Sequence, residues 1–142
     1  MQYNNEARVY FKAISDNEYF ARLFIAGFLT QLDPSLSEMA DIKTAVSEAV
    51  TNAIIHGYEK SEGLVELYCR YEGNFIYIEV ADTGKGISDI NLAREPLYTS
   101  KPEMERSGMG FTIMETFMDH IKIQSKTGEG TRIFMEKKII KE

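Results

Sequence analysis

Leu64-Val65-Glu66-Leu67-Tyr68-Cys69-Arg70-Tyr71 and Phe75-Ile76-Tyr77-Ile78-Glu79-Val80-Ala81 are two alternating runs, rich in β-branched and aromatic residues, separated only by Glu72-Gly73-Asn74. Side chains along a strand point to opposite faces in turn, so a period of two with one apolar face reads as a half-buried strand. Gly and Asn between two such runs read as a hairpin turn. Working outward, Ile121 to Ser125 and Thr131 to Lys137 repeat the pattern as a second hairpin around Lys126 to Gly130, and Arg8 to Ala13 reads as a first strand. Three helical patterns lie between the strands. Asn17 to Gln31 has Phe20, Leu23, Phe24, Phe28 and Leu32 as its expected apolar stripe and Asp16 as its expected N-cap. After the Asp33-Pro34 break, Ser35 with Glu38 three residues on is a capping-box signature. It opens a long helix expected to stop at His56-Gly57. Gly108 to Met118 is the third helix. The order predicts an α+β fold, a two-layer sandwich with helices on one face of a mostly antiparallel sheet.

The 142 residues suit one domain, 1–142, large enough to bury a core. A net charge of −6, from 16 Lys+Arg against 22 Asp+Glu, and the lack of a basic patch argue against nucleic-acid binding. The lone Cys69 has no disulfide partner within the chain and reads as a small buried filler. There is no basic region followed by an apolar run, as in a signal peptide, and no apolar stretch long enough to span a membrane. A cytoplasmic location, without membrane attachment, is expected.

Three short motifs carry candidate chemistry. At about 100° per residue, Asp41, Thr44, Glu48, Thr51 and Asn52 share one face of the long helix, and Ile42, Val46, Ala49, Val50 and Ala53 share the other. Glu48 and Asn52 therefore present a proton acceptor and a neutral oxygen ligand one turn apart. A magnesium ion favours hard oxygen donors and retains water, so one carboxamide with phosphate oxygens is a reasonable set. Asp82 ends a strand and leads into Thr83-Gly84-Lys85-Gly86. Its carboxylate suits the exocyclic amine of adenine, while Gly84 and Gly86 let backbone pass close to base and sugar. Ser107-Gly108-Met109-Gly110-Phe111 enters a helix whose N–H groups suit an anion, with Arg106 placed to reach a terminal phosphate. Taken singly, these residues fit a solvated helix face, an ordinary turn and a flexible helix entry better than they fit a binding site. The three in this order point to a nucleotide. Neither a Walker A loop nor a Rossmann fingerprint is present, and protein-kinase catalytic-loop motifs are absent. His56 and His120 have no zinc-like spacing.

These motifs resemble the N box and the two G boxes of the GHKL ATPase superfamily. Within it, Ser47-Glu48-Ala49-Val50-Thr51-Asn52-Ala53-Ile54-Ile55-His56-Gly57-Tyr58 is similar to the serine-kinase anti-sigma factors. Asn17-Glu18-Tyr19-Phe20-Ala21-Arg22, Gln31-Leu32-Asp33-Pro34, Thr99-Ser100-Lys101-Pro102-Glu103 and the run from Arg106 to Glu115 resemble the sporulation members. The likeness implies a Bergerat-type sandwich that binds ATP and Mg2+ under a lid, roughly Leu92 to Ser107. It implies a homodimer that holds the sporulation sigma factor F away from RNA polymerase and phosphorylates a serine of an anti-anti-sigma protein. By this resemblance Glu48 is the general base, Asn52 the magnesium ligand and Asp82 the adenine contact. Gly84, Gly86, Ser107, Gly108, Met109, Gly110 and Thr131 line the nucleotide, and Arg106 reaches the γ-phosphate. Glu18 and Arg22, expected on the outer face of the first helix, contact the sigma factor or its competitor; their bland alternative is an i,i+4 ion pair. Two rival readings share the pocket: a free-standing histidine-kinase catalytic domain, and a non-catalytic binding module gated by ATP.

Overall fold

The structure, a computed structural model, describes residues 3–57, 63–84 and 110–140. The strands are β1 (Tyr3–Lys12), β2 (Leu64–Glu72), β3 (Phe75–Asp82), β4 (His120–Lys126) and β5 (Gly130–Lys138). They form one antiparallel sheet in the order β1-β2-β3-β5-β4, with both expected hairpins in place. The first strand begins at Tyr3 and ends at Lys12, longer than the Arg8 to Ala13 run expected from its apolar residues. Three of the added residues, Asn4, Asn5 and Glu6, are polar and lie on an edge strand. Asn4 accepts the backbone N–H of Gly73 at 2.8 Å, and Glu6 accepts the hydroxyl of Tyr68 at 2.6 Å.

Alternation along the strands divides the sheet into two unlike faces. Val65, Leu67, Cys69, Ile76, Ile78, Val80, Ile133 and Met135 are buried under the helices. Cys69 is the filler expected of it, and burial pushes its thiol up to about 12. The helix-free face carries charge. Glu66 meets Arg8 at 2.7 Å and Arg132 at 3.3 Å, and Arg132 also reaches Glu79 at 2.9 Å.

The helices are α1 (Asp16–Leu29), α2 (Leu36–Asn52) and α3 (Gly110–Phe117), with a 3₁₀ turn at Thr30–Leu32. Among the described residues, no helix is long and apolar enough to cross a membrane. Asp16 is the first helical residue of α1 and not its cap; Ser15 takes that place without a side-chain bond. The buried side of α1 is also rotated from the expected stripe. Ala21, Ile25, Phe28 and Leu29 are buried, with Leu32 beyond them, while Phe20 and Leu23 are 41% and 53% exposed. Small Ala21 lets the helix lie close to the layer beneath, and Phe20 packs edge-on against Phe11 at 5.8 Å from the periphery.

The capping box of α2 is present as expected. Ser35 Oγ accepts the N–H of Glu38 at 3.1 Å, and Glu38 Oε1 accepts the N–H of Ser35 at 2.9 Å. Glu38 Oε2 also accepts the N–H of Ile140 at 2.6 Å, which ties the chain just after β5 to the start of α2. At its other end α2 does not run on to Gly57 as an α-helix. It widens after Asn52 into a π-helical turn, Ala53–Gly57, of a kind often found at functional sites. That turn contacts both β3 and β5.

One glycine is required by this geometry. Gly130 has φ +98°, and a Cβ there would lie 2.1 Å from the backbone oxygen of Asp82. Backbone cannot yield as a flexible side chain would, so Gly130→Ala is expected to cost at least about 2 kcal/mol. Urea denaturation measures it; a change below about 0.5 kcal/mol would mean the β4–β5 hairpin relaxes freely.

Candidate functional site

The candidate site is built where the end of α2 overlies β3 and β5. Alternation along β3 sends Asp82 to the helix side of the sheet with Ile76, Ile78 and Val80, and Thr131 faces it across the β3–β5 ladder. Both side chains are buried, at 7% and 5% exposure. Asp82 Oδ1 accepts the N–H of Gly84 at 2.9 Å, and the backbone N–H of Thr131 also donates to the carboxylate. Burial raises its pKa above the ordinary carboxylate value, with the two backbone donors partly opposing the shift. The Asp82–Gly84 bond is the turn geometry that Asp-Thr-Gly favours. The turn reading and the binding reading are therefore compatible: the turn holds the acceptor in place.

Thr131 is held from the other side. Its hydroxyl lies 2.8 Å from that of Ser125, whose Oγ also donates to the Gly130 carbonyl at 3.1 Å. Gly130 and Ser125 were not singled out from sequence. A glycine opening a strand beside Thr131 is a signal of close backbone approach and could have marked the first.

On α2, Glu48 and Asn52 are half-buried, and Ile42, Val46, Ala49, Val50 and Ala53 are buried on the opposite side, as expected. Thr51 is half-buried like Glu48 and Asn52. Its Oγ1 donates to Glu18 Oε2 at 2.9 Å, and Ser47 Oγ donates to the same oxygen at 2.8 Å. Glu18 therefore turns towards α2, where an outward position had been expected. Arg22 lies one turn further along α1 and is half-buried. Gly110 opens α3, which packs against α2. Gly86, Arg106, Ser107, Gly108, Met109 and the expected lid at 92–107 lie outside the described residues.

A cavity of about 570 Å3 opens at the same strand ends. Tyr10, Leu64, Glu66, Gln124 and Arg132 line it together with Asp82 and Thr131, while Glu48 and Asn52 do not. Most of this lining belongs to the helix-free face, so the cavity lies on the other side of the sheet from the α2 residues.

The residues present fit a nucleotide with a magnesium ion. Among the described residues, no group of three His, Cys, Asp or Glu side chains is arranged to hold a metal by itself. A cation taking one carboxamide from the protein, and its other ligands from phosphate and water, makes no demand for such a cluster. Asp82 offers a buried acceptor at the end of a strand, which suits an amine donor.

The profile of the family described as "Histidine kinase-like ATPase domain" matches residues 13–137. The chain belongs to this family. Its curated relatives include the Anti-sigma F factor of Clostridium kluyveri, 54% identical over 135 residues and 95% of each chain. The Anti-sigma F factor of Clostridium acetobutylicum is 56% identical over 134 residues and 94% of each chain. Among solved structures, the RsbU and RsbW domains of a Mycobacterium tuberculosis protein match with TM-score 0.70 and 19% identity, over 96% of this chain and 33% of that one. The catalytic domain of histidine kinase ThkA matches with TM-score 0.57 and 14% identity, over 96% and 99% of the two chains. These structural likenesses agree with the α+β architecture expected from sequence.

Asp82→Asn isolates the charge at the centre of the site. The folded-state pKa of Asp82 is raised, so the group favours the fold most below the ordinary carboxylate range, and this contribution is lost as pH rises through the folded value. Wild type should therefore gain stability relative to Asp82→Asn as pH falls from about 7 to about 4 in urea denaturation. A trend in the opposite direction would mean that the backbone donors outweigh burial.

Proposed function

We propose that this chain is an ATP-dependent anti-sigma factor that is also a protein serine kinase. What carries the reading is a buried acceptor, Asp82, beside a helix bearing Glu48 and Asn52, in a chain 54% and 56% identical to proteins named Anti-sigma F factor. The partners are the sporulation sigma factor F and a small anti-anti-sigma protein whose serine accepts the phosphoryl group. The working form is a cytoplasmic homodimer of single-domain chains spanning 1–142.

In this reading Asp82 accepts from the exocyclic amine of adenine, and buried Thr131 closes the same end of the pocket. Gly84, Gly86, Ser107, Gly108, Met109 and Gly110 bring backbone close to the sugar and phosphates, and Arg106 neutralises charge on the γ-phosphate. Asn52 would hold a magnesium ion through its carboxamide oxygen, and the ion would supply further charge neutralisation. Phosphoryl transfer asks the protein mainly for positioning and electrostatics. The serine oxygen bonds to the γ-phosphorus as the bond to the β,γ-bridging oxygen breaks and its electrons leave with ADP. Glu48 takes the serine proton.

Arg22 and the neighbouring exposed Tyr19 and Leu23 offer the sigma factor a mixed charged and apolar patch on α1, with Glu18 at its edge. Labelled ATP with the anti-anti-sigma protein distinguishes this reading from its rivals. Acid-stable label on the partner serine supports it; acid-labile label would identify a histidine kinase, and absence of transfer a binding module.

Glu48→Ala is expected to lower phosphoryl transfer by about two to four orders of magnitude while ATP affinity stays within about threefold. Near wild-type transfer would remove Glu48 as the base. Asn52→Ala should lose at least about tenfold of its ATP affinity in magnesium and little without it, as read by calorimetry. Equal losses in both conditions would place Asn52 away from the metal.

A further inference from the structure

Glu18 accepts two hydroxyl hydrogen bonds from a different helix, at 2.8 Å from Ser47 and 2.9 Å from Thr51. Ser47 is buried and Thr51 half-buried, so the link sits inside the α1–α2 contact and not on the rim. Ser47 and Thr51 are one turn apart on α2, as are Glu48 and Asn52, and the two pairs are offset by about 100° around the helix axis. A tie that holds the first pair therefore sets the rotation of the second.

The place of the tie matters. Thr51 is the last but one residue of α2, immediately before regular helix gives way to the π-helical turn at Ala53–Gly57. Regular i to i−4 bonding changes there, so an external anchor has most effect on the direction in which Asn52 points. Without an outside acceptor, a Ser or Thr hydroxyl within a helix tends to bond back to the carbonyl four residues earlier and to bend the helix. Glu18 draws both hydroxyls away from that competing arrangement.

We infer that Glu18 is a positioning residue for phosphoryl transfer, holding Glu48 and Asn52 in register through the Ser47 and Thr51 hydroxyls. The inference rests on the kinase reading for its effect on rate, but the tie itself can be tested without that reading. It also gives α1 a second role. The helix proposed to meet the partner is fastened by the same carboxylate to the helix that carries the base, so partner contact and catalytic geometry share one group.

Two sets of variants of the full chain separate positioning from partner contact. Glu18→Gln retains an acceptor oxygen for both hydroxyls but loses the charge a partner would read, whereas Glu18→Ala loses both. Ser47→Ala with Thr51→Val removes the donors and leaves Glu18 intact. For positioning, Glu18→Ala and the double variant should each lower kcat for transfer about tenfold, and the double variant, which leaves Glu18 in place for the partner, should keep KM for the phosphoacceptor within about twofold. Combining Glu18→Ala with Ser47→Ala and Thr51→Val should lose no more than either, and Glu18→Gln, which keeps a weaker neutral acceptor, should fall between wild type and Glu18→Ala. If the double variant transfers at the wild-type rate, Glu18 acts only through the partner and the inference is overturned.

Hydrogen exchange of the amides of residues 48–52, in the chain alone, provides the independent arm. Exchange should quicken about fivefold or more in Glu18→Ala and in the double variant, and by less in Glu18→Gln. Unaltered exchange in Glu18→Ala would overturn the tie whatever the kinase assay shows. Absence of transfer by wild type with this exchange pattern present would count against the kinase reading and leave the tie standing.

Discussion

A carboxylate taken out of water at the end of a strand is the constraint around which the site is organised. Asp82 is buried, and burial disfavours its ionised form, so the surrounding backbone has to supply donors. The N–H groups of Gly84 and Thr131 do so, and each exists only because of a larger feature. The first needs the chain to turn sharply after β3. The second needs β5 in register with β3, and that register needs Gly130, where any side chain would run into the Asp82 backbone. The β4–β5 hairpin, joined to β3 by a long-range ladder, thus lies close against the site because Gly130 has no Cβ.

Helix α2 meets this strand end with three neighbours at once. Its apolar side is buried in the core, its start is fastened through Glu38 to Ile140, and its last turns are fastened through Ser47 and Thr51 to α1. Only after these contacts does the helix widen into the π-helical turn above β3 and β5. Glu48 and Asn52 each directly follow one of the last two anchors, Ser47 and Thr51, and Asn52 borders the irregular turn. A helix held at both ends by charge-assisted hydrogen bonds keeps its side chains aimed with little dependence on its own propensity.

Most of the architecture was readable because it rests on short-range rules. Alternation marked four strands to within a residue or so of each end, and the capping box marked the start of α2. The misreadings have physical causes. The start of β1 carries Asn4, Asn5 and Glu6 in succession, so no apolar alternation announces it. The apolar stripe of α1 was drawn through its largest side chains. The layer beneath instead accepts Ala21 and Ile25, the residues that permit close approach, and leaves Phe20 and Leu23 partly in solvent.

The site divides in the same way. Residue types and spacing alone marked Glu48, Asn52 and Asp82, since a helical period and a strand-ending acid are local properties of the chain. That Thr131 faces Asp82, that Gly130 cannot carry a side chain, and that Glu18 turns inward to two hydroxyls on α2 are facts of pairing between segments far apart in sequence. Local patterns fix which way a side chain can point relative to its own backbone. What it meets there depends on the register and packing of other elements, and those emerge only when the whole chain buries its apolar surface together.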